Sequence, residues 1–353
     1  MSDTHGLENQ VRQHRGRRGW SQDELAERSG LSRAGISGIE TGRLVPSTSA
    51  ALSLAEAFQC RVEDLFRLPR SPANPSAWAW SPRGNPCRYW RAEVGARTLL
   101  IPAETSPLAM LAHDGISRDG QLENLNDSDP RDTLVIACCD PAVGLLAAEL
   151  ARSANIRLVA LPRASKTALS MLGQRVVHVA GVHLTHDGDR AGNAAAVRSE
   201  LGEGYTLLRV ASWEAGIASA PTRRIESVRA ANNARLRWVG REVGSGARQC
   251  LDELLGHRRP PRRLASDHRG VAEAVRNGWA DAGVCLRLVC EEAGLAFFGI
   301  RHETYDLCFP DALREDRRIV AMVQAVRTTN YRRILSDLPG YDPSEAGQLH
   351  PAL

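Results

Sequence analysis

The 353-residue sequence predicts a multidomain protein with an all-α, helix-turn-helix head followed by a larger α/β half. Three observations support this. The first seventy residues read as short helices separated by tight turns. A stretch rich in Pro, Ser, Asn and Trp follows, with little periodicity. From Arg97 onward, apolar runs of strand length alternate with amphipathic helical stretches. The length allows two or three domains, and the composition is that of a folded chain, with 43% apolar and 24% charged residues.

In the head, Ser21 and Glu24 form a capping-box pair at a helix start, and Leu25 and Ala26 face inward. Gly30 supplies a permissive turn. Ser32 caps the next helix, whose Ile36 and Ile39 share one face. Gly42 and Pro46 end that helix. Ser47 opens another, carrying Leu52, Leu54, Ala55 and Phe58, and Leu65 and Phe66 close the core. Two short helices joined by a tight turn are the geometry that presents a second helix to a DNA major groove.

"SQDELAERSGLS", "ISGIETGRLVPS", "LAEAF" and "VEDLF" resemble the helix-turn-helix of Cro/xenobiotic-response-element (XRE) family regulators, from about Leu7 to Phe66. The resemblance implies that Gln22 touches a phosphate or anchors the recognition helix. Ser32, Arg33, Ala34 and Ser37 would face the groove, with Arg33 reaching a guanine edge. Arg17, Arg18 and Arg43 would meet backbone phosphate. The implied partner is double-stranded operator DNA, bound by a homodimer or higher homo-oligomer.

In the larger half, "TLLIPA", "DTLVIACC", "IRLVALP", "VVHVAGVHL", "YTLLRVAS", "LRWVG" and "DAGVCL" are strand candidates. Helices are expected in "PAVGLLAAELARS", "KTALSMLGQ", "ARQCLDELLG" and "GVAEAVRNG". The pattern predicts a mostly parallel sheet, in which ligands sit beyond the carboxyl ends of strands. Four strand-to-helix junctions offer free amides and a helix dipole suited to anions: "CCDPAVG", "ASKTAL", "GSGAR" and "SDHRGV".

"ACCDPAVGLLAAEL", "VAGVHLTHDGDRAGN", "RWVGREVGSGARQCLDELL", "SDHRGVAEAVRNGWADAGVCL" and "ETYDLCFP" resemble the periplasmic-binding-protein-like effector domains fused to DNA-binding heads. These domains are related to molybdate-binding proteins and to the effector domains of LysR-type regulators. The resemblance implies two lobes clamping a ligand, with chain crossings near Val179–Leu184 and Asp281–Arg287. Cys139, Asp140, Ser165 and Thr167 would line one lobe. Ser245, Gly246 and Arg248, with Arg241 nearby, would line the other, and His183, His268 and Tyr305 would complete the cleft. Arg248 is the leading anion contact, because a guanidinium fork at a helix start suits an oxyanion. Trp213 would narrow the cleft or stack on a planar ligand.

The expected organisation is a head over 1–68, a linker over 69–94, an effector domain over 95–335 and a tail over 336–353. Lobe I would comprise about 95–180 and 284–335, and lobe II about 181–283. The expected function is a ligand-responsive transcriptional regulator that senses a small anion, with molybdate and tungstate as candidates. A small organic carboxylate, sulfonate or pterin-like effector is the alternative.

Cys139 with His183 or His268 also has the residue types of a nucleophile–base pair, but the head favours a sensor over an enzyme. His186, Asp187 and Asp189 read as turn chemistry rather than a metal site, and neither cofactor nor metal is expected. The eight cysteines form no CxxC pair. With no apolar N-terminal segment or membrane-length run, a cytoplasmic location is expected.

Overall fold

The computed structural model describes residues 7–67, 76–104, 111–184, 192–256 and 260–352. His186, Asp187 and Asp189 lie outside the described residues. The chain divides into two compact units, Met1–Asn74 and Pro75–Leu353. Among the described residues, no helix is long and apolar enough to cross a membrane.

The smaller unit contains β1 (Glu8–Asn9), α1 (Val11–Arg17), α2 (Gln22–Ser29), α3 (Arg33–Glu40), α4 (Thr48–Phe58), α5 (Val62–Leu65) and β2 (Phe66–Arg67), with β1 and β2 paired antiparallel. Ser21 and Glu24 form the capping box at α2, and Gly30 closes that helix in the left-handed conformation. Ser32 Oγ accepts from the Gly35 amide at the start of α3. Val11, Leu25, Ile36, Ile39, Leu54 and Phe58 are buried together. Leu52, on the same helix, is 57% exposed. The inward stripe of α4 is Ala51, Leu54, Ala55 and Phe58, and Leu52 falls off its i, i+3, i+4, i+7 spacing.

The larger unit begins with β3 (Ala77–Trp78), β4 (Cys87–Val94), β5 (Arg97–Pro102), β6 (Gly115–Arg118) and β7 (Gln121–Asn124), which form a separate five-stranded sheet. The expected linker is therefore largely strand within its described part. Its aromatic residues explain the difference: Tyr89 and Trp90 are buried, and Trp90, Ala92, Leu99 and Ile101 pack against Val135, Val159 and Leu161. Arg157 ties this sheet to the next by an ion pair of 2.6 Å with fully buried Asp114.

The remaining elements are β8 (Thr133–Cys138), α6 (Val143–Ala154), β9 (Arg157–Pro162), α7 (Ser165–Gly173), β10 (Val179–Val182), α8 (Gly192–Leu201), β11 (Tyr205–Ser219), α9 (Val228–Asn233), β12 (Trp238–Arg241), α10 (Gly246–Leu255), β13 (Arg263–Ala265), α11 (His268–Arg276), β14 (Ala282–Leu286), α12 (Arg287–Glu292), β15 (Ala296–Pro310), α13 (Arg317–Arg327), α14 (Thr329–Ser336), β16 (Tyr341–Asp342) and β17 (Leu349–Pro351). The large sheet runs β13-β12-β14-β11-β15-β10-β8-β9, with β16 and β17 also paired to β11.

It is a mixed sheet rather than a mostly parallel one. Strands β8, β9 and β10 are parallel among themselves, as are β12, β13 and β14. Between the two sets, β11 and β15 run antiparallel to each other and to their outer neighbours. The result is two α/β lobes. One holds β8–β10 with α6–α8, α13 and α14; the other holds β12–β14 with α9–α12.

The crossings are the two 15-residue strands β11 and β15, not the expected segments near Val179–Leu184 and Asp281–Arg287. After β10 the chain stays in the first lobe, where α8 packs on α7 and β15. After β14 it stays in the second, where α12 packs on β11, β14 and β15. Lobe II therefore begins within β11 rather than at residue 181. The expected tail also belongs to the sheet: Tyr341 pairs with Trp213, and Thr206 pairs with Pro351.

The paired crossing strands change register between Arg209 and Ala211 and between Ala215 and Gly216. Gly216 lies opposite Gly299. A β-carbon at Gly216 would collide with the Phe298 carbonyl, a backbone atom that cannot move without parting the strands. Gly216→Ala should therefore destabilise the fold by about 1–3 kcal/mol, the usual range for overpacking. Gly84→Ala, where a β-carbon meets open space, is the control. Equal urea midpoints for the two variants would contradict the constraint.

Candidate functional site: a closed junction between the lobes

The four junctions singled out in the sequence become the starts of α6, α7, α10 and α11. Residues beyond the ends of β8, β10 and β12 meet them between the lobes. Cys139 Sγ lies 2.9 Å from His183 Nε2. His183 Nδ1 donates to Glu303 Oε2 at 2.9 Å, and Trp213 Nε1 donates to the same oxygen at 3.2 Å. The His183 amide donates to Ser165 Oγ. His268 approaches from the other lobe, with its ring centroid 5.8 Å from that of His183. Ligand atoms of Cys139, His183 and His268 all lie within 4.8 Å of one another.

The second lobe closes over this group. The Lys166 amide at the start of α7 donates to the Gly244 carbonyl at 3.2 Å. Gly246 packs on His183, where a β-carbon would collide with the His183 carbonyl oxygen. Arg301 crosses beneath, bonding Glu303 at 2.9 Å, Glu253 at 2.7 Å and the Gly246 carbonyl at 3.2 Å.

Burial dominates the electrostatics. It opposes charge on His183, yet Cys139 and Glu303 raise the imidazole above its ordinary value. It also favours a neutral Glu303, but bonds from His183 and Trp213 and the Arg301 charge hold the carboxyl below the usual carboxylate range. His268 is pushed well below its ordinary value by burial, and then by the charges of Arg241 and His183. It is therefore a neutral imidazole near pH 7, with one N–H donor and one lone pair. Both of its ring nitrogens are buried without a hydrogen-bond partner. Arg241 is 1% exposed; its Nε and Nη2 pair with Glu242, while Nη1 is buried without a partner.

The other expected cleft residues are placed as follows. Asp140 is buried, and its Oδ1 accepts from the Tyr341 hydroxyl at 2.8 Å and the Ala142 amide at 2.8 Å. Ser245 Oγ accepts from the Arg248 amide and donates to the Glu242 carbonyl. Arg248 turns onto Asp252, with Nε at 2.8 and 2.9 Å from the two carboxylate oxygens. Its fork is engaged by its own helix one turn on, and Arg241 holds the free donor instead. Thr167 is exposed, outside the buried group. Tyr305 is buried and stacks on Trp213 at 4.5 Å. Trp213 is itself fully buried and edge-on to His183, so it packs on protein rather than on a ligand. Asp267 caps α11 through the Gly270 amide.

Glu303 and Arg301 were missed as site residues. Both alternate with Tyr305 along β15, and two opposite charges at period-two spacing on the face that carries Tyr305 were the available signal.

In the smaller unit, Ser32, Arg33, Ala34, Arg43 and Arg17 are exposed and Ser37 is half-buried. Arg33 lies 3.5 Å from Asp23 in an exposed pair. Gln22 anchors α3 by donating to Glu40 at 2.8 Å, and Arg15 grips the same carboxylate at 2.6 Å. Arg18, expected on phosphate, donates to the Phe58 carbonyl and lies over the Trp20 and Phe58 rings. Trp20 stacking on Phe58 draws it there.

The fold and this junction define a two-lobed binding-protein domain carried with a helix-turn-helix domain. Residues 147–327, just over half of the chain, match the PBP superfamily domain, and residues 9–68 match a helix-turn-helix domain. The chain belongs to the PBP superfamily, and its N-terminal domain is XRE-like. It is 25% identical to YvgK of Bacillus subtilis over 234 residues, covering 63% of this chain and 75% of YvgK. It is 40% identical to the HTH-type transcriptional regulator YgzD of Bacillus subtilis over 62 residues, covering 18% of this chain and 94% of YgzD. A phosphate ABC transporter substrate-binding protein from Clostridium perfringens with bound phosphate superposes with a TM-score of 0.46 and 10% identity, covering 58% of this chain and 96% of that one.

Asp140 makes the junction sensitive to pH. Burial raises its carboxyl to about 6, against the bonds from Ala142 and Tyr341 and the His183 charge. Stability tied to the protonated form is complete below about pH 4, the ordinary aspartate value, and is lost as the pH rises through about 6. Asp140→Asn keeps an acceptor for Tyr341 and removes the charge. Its stability relative to wild type should grow by of order 2 kcal/mol between pH 4 and 7. Parallel melting-temperature profiles for the two proteins would contradict a buried, raised carboxyl.

Proposed function

We propose that this chain is a ligand-responsive transcriptional regulator whose helix-turn-helix domain binds operator DNA and whose two-lobed domain senses a small anion. One observation carries the anion reading: Arg241 Nη1 is buried without a partner where helix starts converge, beside a His268 ring that is also buried without partners and offers one N–H donor. A buried donor left unpaired costs about 1–3 kcal/mol, more when charged. An anion oxygen at Arg241 satisfies the guanidinium and shares the dipoles of the surrounding helix starts.

The closed junction favours a compact anion, such as molybdate, tungstate, phosphate or sulfate, over an organic acid or pterin. The Lys166–Gly244 bond and the seat of Gly246 on His183 leave little room for a larger skeleton. Arg241 takes the leading role that the sequence assigns to Arg248. Binding favours the closed pairing of the lobes and thereby changes operator affinity, with a typical coupling of ~1–3 kcal/mol. One head reads one half-site, so operator recognition calls for two copies.

Calorimetry with molybdate, tungstate, phosphate and sulfate tests the effector site. One anion should bind per chain, and Arg241→Met should weaken it about tenfold or more, the scale of a lost charge-assisted bond. Unchanged affinity would remove Arg241 from the site. For the DNA-binding domain, Arg33→Ala should relax operator sequence preference while leaving anion affinity intact. An equal loss on every DNA sequence would assign Arg33 to phosphate contact instead.

A further inference from the structure

The anion reading accounts for only part of the unpaired chemistry. His268 keeps both ring nitrogens buried without partners, and an imidazole presents one N–H donor and one lone pair there. A fully deprotonated oxyanion such as molybdate, tungstate or sulfate can accept from the N–H but cannot satisfy the lone pair. That need is met by a Lewis acid, and two further ligands of the right type stand beside it. The Cys139 sulfur and a His183 nitrogen come from the other lobe, and the ligand atoms of all three residues lie within 4.8 Å of one another. A tetrahedral zinc sphere, with Zn–S near 2.3 Å and Zn–N near 2.0–2.1 Å, spaces its ligand atoms about 3.5 Å apart.

We propose that Cys139 Sγ, His183 Nε2 and a His268 ring nitrogen form a binding site for a borderline-soft divalent cation of the zinc or cobalt type, and that the sensed anion occupies its fourth position. This rests on the anion reading above and specifies how that anion is held. The surroundings fit. His183 Nδ1 is already bonded to the Glu303 carboxylate, which fixes the tautomer that presents Nε2, as carboxylates behind metal-bound histidines do. Glu303 is in turn fixed by Trp213 and Arg301. A thiolate with imidazoles selects this class of cation over magnesium or calcium.

The nearby Arg241 charge opposes a bare cation. It becomes favourable once an anion lies between them, so metal and anion reinforce each other. Metal binding displaces the proton between Cys139 and His183 to solvent. Because His268 belongs to one lobe and Cys139 and His183 to the other, the metal also holds the junction shut.

The test uses the full, reduced chain with zinc alone, phosphate or molybdate alone, and zinc and anion together, in calorimetry. Cobalt is then substituted and its absorption recorded. Expected are one zinc per chain, a cobalt spectrum with thiolate-to-metal charge transfer, and zinc affinity about tenfold or more weaker in both Cys139→Ser and His268→Gln. Cys87→Ser, on β4 away from the site, should bind zinc normally. Anion affinity should fall about tenfold when a chelator removes the metal.

If the anion binds but zinc does not, or zinc binding is indifferent to both site variants, the metal site is overturned and the anion reading stands. If zinc binds at the site while anion affinity ignores the chelator, the shared coordination is overturned. Failure of both zinc and every anion to bind overturns both readings.

Discussion

The pairing of β11 with β15 is the constraint on which the larger unit depends. Each strand is 15 residues long, and together they are the covalent crossings, the centre of the sheet and the base of the junction between the lobes. Strands β8–β10 attach to one side of this ribbon and β12–β14 to the other. The register shifts and the facing Gly216 and Gly299 occur where the ribbon passes between lobes. Irregular pairing increases local twist, and here it falls on the stretch that joins the two lobes. Trp213, Glu303 and Tyr305 lie on this ribbon, so the position of His183 depends on it.

The buried charges at the junction are not explained by stability. Removing an ion from water costs several kcal/mol even after relaxation, and a buried pair returns this only with good geometry. Glu303 meets that standard, held by His183, Arg301 and Trp213. Arg241 does not, since its Nη1 is buried without a partner, and the neutral His268 beside it leaves both ring nitrogens unpaired. One well-satisfied network thus adjoins an unsatisfied group. Such a combination is expected where a rigid support holds groups whose partner arrives from outside.

Much of this was legible in the sequence because local signals and final structure agreed. The capping box at Ser21 and Glu24, the apolar face of Ile36 and Ile39, and the four strand-to-helix junctions each rest on nearby residues. Cys139, His183 and His268, drawn from three junctions, meet in space. The signals failed where long-range pairing decides. Nothing local in a long strand distinguishes a crossing between lobes from an ordinary strand, because its partners are distant in sequence, so β15 went unread beyond its quoted "ETYDLCFP". The segment around Tyr89 and Trp90 reads as linker because its proline-rich start hides the alternation that follows. The sequence favours Arg248 over Arg241; only the fold shows that Asp252 occupies Arg248 and leaves a nitrogen of Arg241 free.

The central claim is that a compact anion is gripped between the lobes beside Arg241 and His268. Diffraction from crystals grown with tungstate tests it directly, because tungsten's anomalous signal locates the anion without reference to the protein. The account predicts one strong peak per chain within hydrogen-bond reach of Arg241 Nη1, between the starts of α7 and α10. A peak elsewhere on the chain, with Arg241 and His268 still unpartnered, would contradict it.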